Sequence, residues 1–203
     1  SQGALVNMLA RSHKPFAAQK LAIIERLRRA EMVASDETGI RIEAINSYQW
    51  VFLSPNAVVH EARMSRAGQV VCDVMAGHRP KIWLSDAYSA QQNHGLHAQT
   101  CLAHLARDVA YGLEASDDDL PFRLKLWLDR LFALARNIES YAASTLEGKK
   151  RQAENTLADI LRARPACEAA EKLRAKFARA SPRLLTFLDF PGEVEVTNNA
   201  CER

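Results

Sequence analysis

The 203-residue chain lacks any run of eighteen apolar residues, and no basic n-region is followed by an apolar h-region. Both absences argue against membrane insertion and secretion. There is no Cys-x-x-Cys pair either. Cys72, Cys101, Cys167 and Cys201 are widely scattered, which fits reduced thiols in the cytosol better than a disulfide framework. Nor is there a large charge imbalance: the formal net charge is only +3, so partners must be sought in the distribution of charge. What is present, 48% hydrophobic and 25% charged residues, is an ordinary globular composition, long enough for one sizeable core or a core carrying an insertion. Ser1 in place of Met, and a stop at Arg203 inside a helix start, give the expectation of a piece of a longer polypeptide.

Ile82-Trp83-Leu84-Ser85 is a short apolar run after the breakers Gly77 and Pro80, and it predicts a buried central strand. The run stops on Asp86. A carboxylate at the rim of a sheet is costly to desolvate unless water, a cation or a metal ion meets it. Strand carboxyl ends are also where α/β proteins hold ligands. A second candidate strand, Glu31 to Gly39, carries Asp36 near its end and is expected to turn at Gly39. Strands over Tyr48–Ser54 and Ala57–Arg63 are separated by Pro55-Asn56, so an antiparallel meander is expected, followed by a helix from Arg66 to Met75. This order allows the first and fourth strands to lie side by side, with Asp36 near Asp86.

Helices frame this unit. Residues 3–30 predict a helix in two pieces broken near Pro15, with Ala17, Leu21, Ile24 and Leu27 or Arg28 spaced for one face. Over residues 1–30 six basic side chains oppose one acid. Arg26, Arg28 and Arg29 are therefore candidate contacts to a phosphate backbone, with the solvated face of a packing helix as the rival reading. After an extended segment at His97–Thr100, a helix is expected from about Cys101, with Leu102, Leu105, Val109 and Leu113 inward. Glu114, Asp117, Asp118 and Asp119 read as capping and solvation, not as a metal site. From 120 to 180 the stripe Leu124, Trp127, Leu128 and Leu131, continued by Leu157, Ile160 and Leu161, predicts a helical insertion jointed at Gly148 and Pro165. Its basic residues, from Lys149, Lys150 and Arg151 through Lys176 to Arg183, form a second phosphate-facing surface or the outer face of a bundle. The expected organisation is a basic arm at 1–30, a core at 31–115, the insertion at 116–185 and a return to the core at 186–203.

Asp36, Asp86 and Glu202 are the acids whose convergence would carry chemistry. Three oxygen ligands at one sheet edge suit Mg²⁺ or Mn²⁺, and two such ions about 3.5–4 Å apart can serve the attacking and leaving oxygens of a phosphoryl displacement. Each acid has a plainer reading. Asp36 could be a turn residue, Asp86 a cap for a helix at Ala87, and Glu202 the partner of Asn199 in a capping box. His94, His97, Cys101 and His104 have spacings compatible with zinc, against which stands a half-buried cysteine beside a hydrogen-bonding histidine.

Five segments occur in order: Asp36-Glu37-Thr38-Gly39, Trp50-Val51-Phe52, Ser85-Asp86-Ala87-Tyr88-Ser89-Ala90, Cys101-Leu102-Ala103-His104-Leu105-Ala106-Arg107-Asp108, and Thr197-Asn198-Asn199-Ala200-Cys201-Glu202-Arg203. Together they resemble the motif set of insertion-sequence-66-type transposases, which usually show Ala where Cys201 stands. The resemblance implies an α/β fold: a ribonuclease-H-like mixed sheet core with an inserted helical subdomain. It implies an Asp-Asp-Glu triad on Asp36, Asp86 and Glu202, two Mg²⁺ or Mn²⁺ ions, cleavage of transposon-end DNA and strand transfer to target DNA. Cys101, His104, Arg107 and Asn198 fall at motif positions expected to support the active site or the DNA. The implied partner is double-stranded DNA, bound by a homo-oligomer in the cytoplasm at the nucleoid, with no membrane involved. Two rivals remain: a nuclease of the same fold, and a truncated, inactive DNA-binding remnant.

Overall fold

The computed structural model describes residues 2–202, apart from the side chains of Lys14 and Glu202. A long helix α1 (Gln2–Arg28) leads into strands β1 (Met32–Ile42), β2 (Ile45–Ser54) and β3 (Ala57–Arg63). Helix α2 (Gln69–Met75) then crosses to β4 (Ile82–Ser85) and β5 (His97–Thr100). Four helices follow: α3 (Leu102–Ala115), α4 (Asp119–Arg136), α5 (Ala143–Leu161) and α6 (Glu168–Ala180). A short 3-10 turn, Asn199–Glu202, closes the described chain.

The strands form one mixed sheet in the order β3-β2-β1-β4-β5. β1, β2 and β3 are an antiparallel meander, whereas β4 runs parallel to β1 and β5 parallel to β4. All four residues of β4 are buried, as a strand covered on both faces requires. Alternation sorts the side chains. Val33 and Trp83 join Trp50, Phe52 and Val59 under Ile24 and Leu27 of α1 and the Val70, Val71, Val74 and Met75 face of α2. Ala34 and Leu84 point the other way, against Cys101 and Cys201, and Ile82 packs with Leu102, Leu105 and Val109 of α3. That second core runs on without a break into α4, α5 and α6, where Trp127 meets Phe177 edge-on at 6.3 Å and donates its indole N–H to Ala153 O at 2.9 Å.

Several local expectations need correction. α1 is one helix through Pro15, not two pieces. The bond that proline removes would have ended on the exposed Arg11 turn, where water can satisfy the carbonyl. β1 does not turn at Gly39, which pairs with Tyr48; the hairpin closes at Glu43 and Ala44, whose φ angles of 50° and 64° supply the left-handed pair of a two-residue loop. Gly148 lies inside α5, and the joint before that helix falls at 137–142 instead. Leu113 is exposed, and Gly112 takes the inward position: a Cβ there would meet Leu173 Cδ2 at 3.0 Å. Asp118 does cap α4, its carboxylate accepting from Leu120 N at 2.9 Å.

Candidate active site

The parallel pairing of β1 with β4 brings Ala34 opposite Leu84. Asp36 and Asp86 each lie two residues further along. Since successive side chains alternate, each acid shares the face of its predecessor two before, the face covered by α3. Asp86 directly follows the last residue of β4, and its charge reaches the Asp36 carboxyl, so the two aspartates are neighbours at the carboxyl end of that strand. Each carboxylate accepts one backbone N–H, Glu37 N to Asp36 Oδ1 at 3.1 Å and Tyr88 N to Asp86 Oδ1 at 3.0 Å. A carboxylate has about four acceptor positions, so both retain capacity for a further ligand.

Burial pushes the Asp36 carboxyl up to about 6; His104 and the Glu37 N–H pull against that rise, and the charges of Glu37 and Asp86 add to it. His104 in turn is held above its ordinary value, chiefly by its hydrogen bond with Cys101 and further by Asp36. Burial alone would raise the Cys101 thiol, but the bonds from His104 and from Asn198 N outweigh it and pull the thiol down. Asn198 is itself buried. It reaches back to donate to Ser35 O at 3.0 Å, while its Oδ1 has no hydrogen-bond partner among the described residues. The 3-10 turn that follows packs on β1 and β2, and Cys201 lies in the same small cluster as Ala34 and Leu84. The Glu202 side chain lies outside the described residues, and among those residues no three His, Cys, Asp or Glu side chains converge as a metal-binding set.

On the reverse face stands a group that no spacing rule joins, built around the second acid of the Asp36-Glu37 pair. The Glu37 side chain is only 1% exposed, and Arg66 donates to its Oε1 through Nε at 2.8 Å and Nη2 at 2.6 Å. Gln91, wholly buried, donates to Glu37 Oε2 and accepts from Ser35 Oγ at 2.7 Å. The Arg66 guanidinium also stacks over Tyr88, 4.1 Å from the ring centre. Period-two alternation is the signal that separates Asp36 from Glu37: two consecutive acids in a strand cannot face the same way. Arg66, Arg107 and Lys176 line a cleft of about 420 Å³ beside Asp86, Tyr88 and His104, with Asp108 on the same wall paired to Lys176 at 2.5 Å.

Other candidate residues are dispersed. Arg28 is turned inward, bonding Val74 O at 2.8 Å and Glu25 at 2.6 Å, so it pins α1 to α2. Lys150 is paired with Asp189 at 2.6 Å, and Lys149 sits over the Tyr141 ring at 4.8 Å. Arg26, Arg29 and Arg151 are exposed. The zinc-like spacing does not become a cluster: His94 bonds Ala90 O at 2.8 Å, His97 packs against Phe190, and Cys101 and His104 face the Asp36 side.

A mixed sheet with acids at its rim and a charged cleft beside them that carries Arg107 suits a protein that processes nucleic acid. The family model described as Transposase IS66 family matches residues 1–203, and the chain belongs to that family. No curated protein and no solved structure gives a significant match. The chain is thus a member of a DNA-processing family, and no described helix is long and apolar enough to cross a membrane.

Proposed function

We propose that this chain is the catalytic core of a transposase of the Asp-Asp-Glu type, ribonuclease-H-like in fold, that cleaves transposon-end DNA and transfers the strand to target DNA. One observation carries the reading: Asp36 of β1 and Asp86, which directly follows the parallel neighbour β4, lie close enough to repel each other, with the carboxyl of the first pushed to about 6 chiefly by burial. Two acids held close, each with acceptor positions unfilled, fit a divalent cation. Glu202 is the natural third ligand, because Asn198 and Cys201 anchor its approach beside Ser35 and Ala34.

In this reading Asp36, Asp86 and Glu202 hold two Mg²⁺ or Mn²⁺ ions. Bound there, such ions make water or a 3′-hydroxyl nucleophilic and neutralise charge on the phosphodiester. The protein's part is placement. Asp36 and Asp86 are fixed by backbone N–H donors, and Arg66, Arg107 and Lys176 line the adjoining cleft where a DNA phosphate would lie. The chain uses no covalent nucleophile of its own. Asp86→Asn should abolish Mg²⁺-dependent cleavage and strand transfer on element-end DNA while DNA binding survives; wild-type rates in that variant would remove Asp86 from the site.

A further inference from the structure

Backbone pairing between β1 and β4 stops at Ala34 and Leu84, two residues short of both aspartates. Something other than the ladder must keep the two strand ends at a fixed separation. On the reverse face of the sheet, Gln91 joins them. Its side chain accepts from Ser35 Oγ at 2.7 Å and donates to Glu37 Oε2, both on β1. Its main-chain carbonyl accepts from Ser85 Oγ, the last residue of β4, at 3.3 Å. The neighbouring Gln92 donates to Asp86 O at 2.8 Å. Arg66 closes the other side: it bonds Glu37, stacks on Tyr88, and its carbonyl accepts from the Tyr88 hydroxyl at 3.4 Å. Tyr88 N in turn holds the Asp86 carboxylate.

We propose that Glu37, with Gln91 and Arg66, forms a brace that sets the separation of the Asp36 and Asp86 carboxylates, making Glu37 a positioning residue for the acid pair. The proposal rests on reading that pair as a metal site. Stability alone does not account for the brace. A buried ion pair is often no better than apolar side chains of equal volume. What apolar packing lacks is direction: it would fill the space without fixing the register of the two strand ends. The side-chain hydrogen bonds of Glu37 and Gln91 run to β1, to each other and to Arg66, and the Gln91 main-chain carbonyl takes up Ser85 at the end of β4.

The test is calorimetric titration with Mn²⁺ of the wild-type chain and of Gln91→Met, Ser35→Ala and Asp36→Asn, each checked for folding by circular dichroism. Gln91→Met changes no charge, so a loss of affinity cannot be a loss of Coulomb attraction. The expected result is a roughly 10- to 100-fold weaker Mn²⁺ affinity, the range for groups that orient metal ligands. Leu157→Ala, a core change in α5 that also lowers the melting temperature, should retain wild-type affinity. Wild-type Mn²⁺ affinity in a folded Gln91→Met overturns the brace. If that variant does not fold, Ser35→Ala, which deletes one hydroxyl, decides in its place: unchanged affinity overturns the proposal and a several-fold loss supports it. Loss of binding in Asp36→Asn alone would sink the brace and spare the metal reading. Unchanged binding in Asp36→Asn would remove the metal reading itself.

Discussion

The two faces of the β1 rim hold carboxylates one residue apart in sequence, and they solve the cost of burial in opposite ways. Glu37, on the reverse face, is 1% exposed and has its countercharge built in, with Arg66 and Gln91 satisfying both oxygens. Asp36, on the front, is half-buried beside a second aspartate, and its carboxyl is pushed up to about 6. A buried acid matched by a protein cation is a clamp, whereas one whose carboxyl is held up by burial and a neighbouring acid is poised to take a cation from solution. Removing charge from the two faces should therefore change stability in opposite directions.

The largest effect is expected on the reverse face. Arg66→Ala strands Glu37 without its cation and should cost about 2–3 kcal/mol in urea denaturation, below the range for fully buried pairs because Arg66 is 44% exposed. A cost under about 0.5 kcal/mol would put the pair among surface ion pairs and erase the contrast.

On the front face the sign reverses. The folded Asp36 carboxyl is raised from 3.8 to about 6, so the folded state retains a proton that the unfolded chain has already lost. Stability of the metal-free protein is therefore lost as pH rises through that window. Asp36→Asn should raise metal-free stability at pH 7 by on the order of 1–2 kcal/mol after discounting solvent screening, and the gain should vanish below pH 3.8. A destabilised variant at pH 7 would mean that the folded protein already compensates the charge.

Smaller differences separate the basic residues of α1. Arg28→Ala removes the bond to Val74 O and should cost about 1 kcal/mol of stability. Arg26→Gln with Arg29→Gln should leave stability unchanged and reduce the salt slope of DNA affinity by about two units. If the slope is untouched, α1 is a packing helix and not a DNA contact.

Much of this arrangement is legible in the chain. The apolar run at Ile82–Ser85 ending on Asp86, and the strand-strand-strand-helix-strand order, allow Asp36 to lie near Asp86, because a crossover through α2 can return β4 next to β1, as it does. Gly39 and Gly148 mislead because glycine permits a turn without requiring one; pairing with Tyr48 and the α5 hydrogen bonds prevail locally. Pro15 misleads because the bond it deletes faces water. The Glu37–Gln91–Arg66 group is invisible in sequence for a different reason: its members are 29 and 54 residues from Glu37, with no spacing rule to join them. Arg28 shows the same limit, since nothing in a basic run tells which guanidinium turns inward to Val74.

The most direct measurement is anomalous diffraction at the manganese edge from crystals of the chain soaked in Mn²⁺. A peak shared by the Asp36 and Asp86 carboxylates, absent in Asp86→Asn crystals, is the expected result. Density for manganese elsewhere, with the two aspartates bare or turned apart, would contradict the proposed metal site and the brace built behind it.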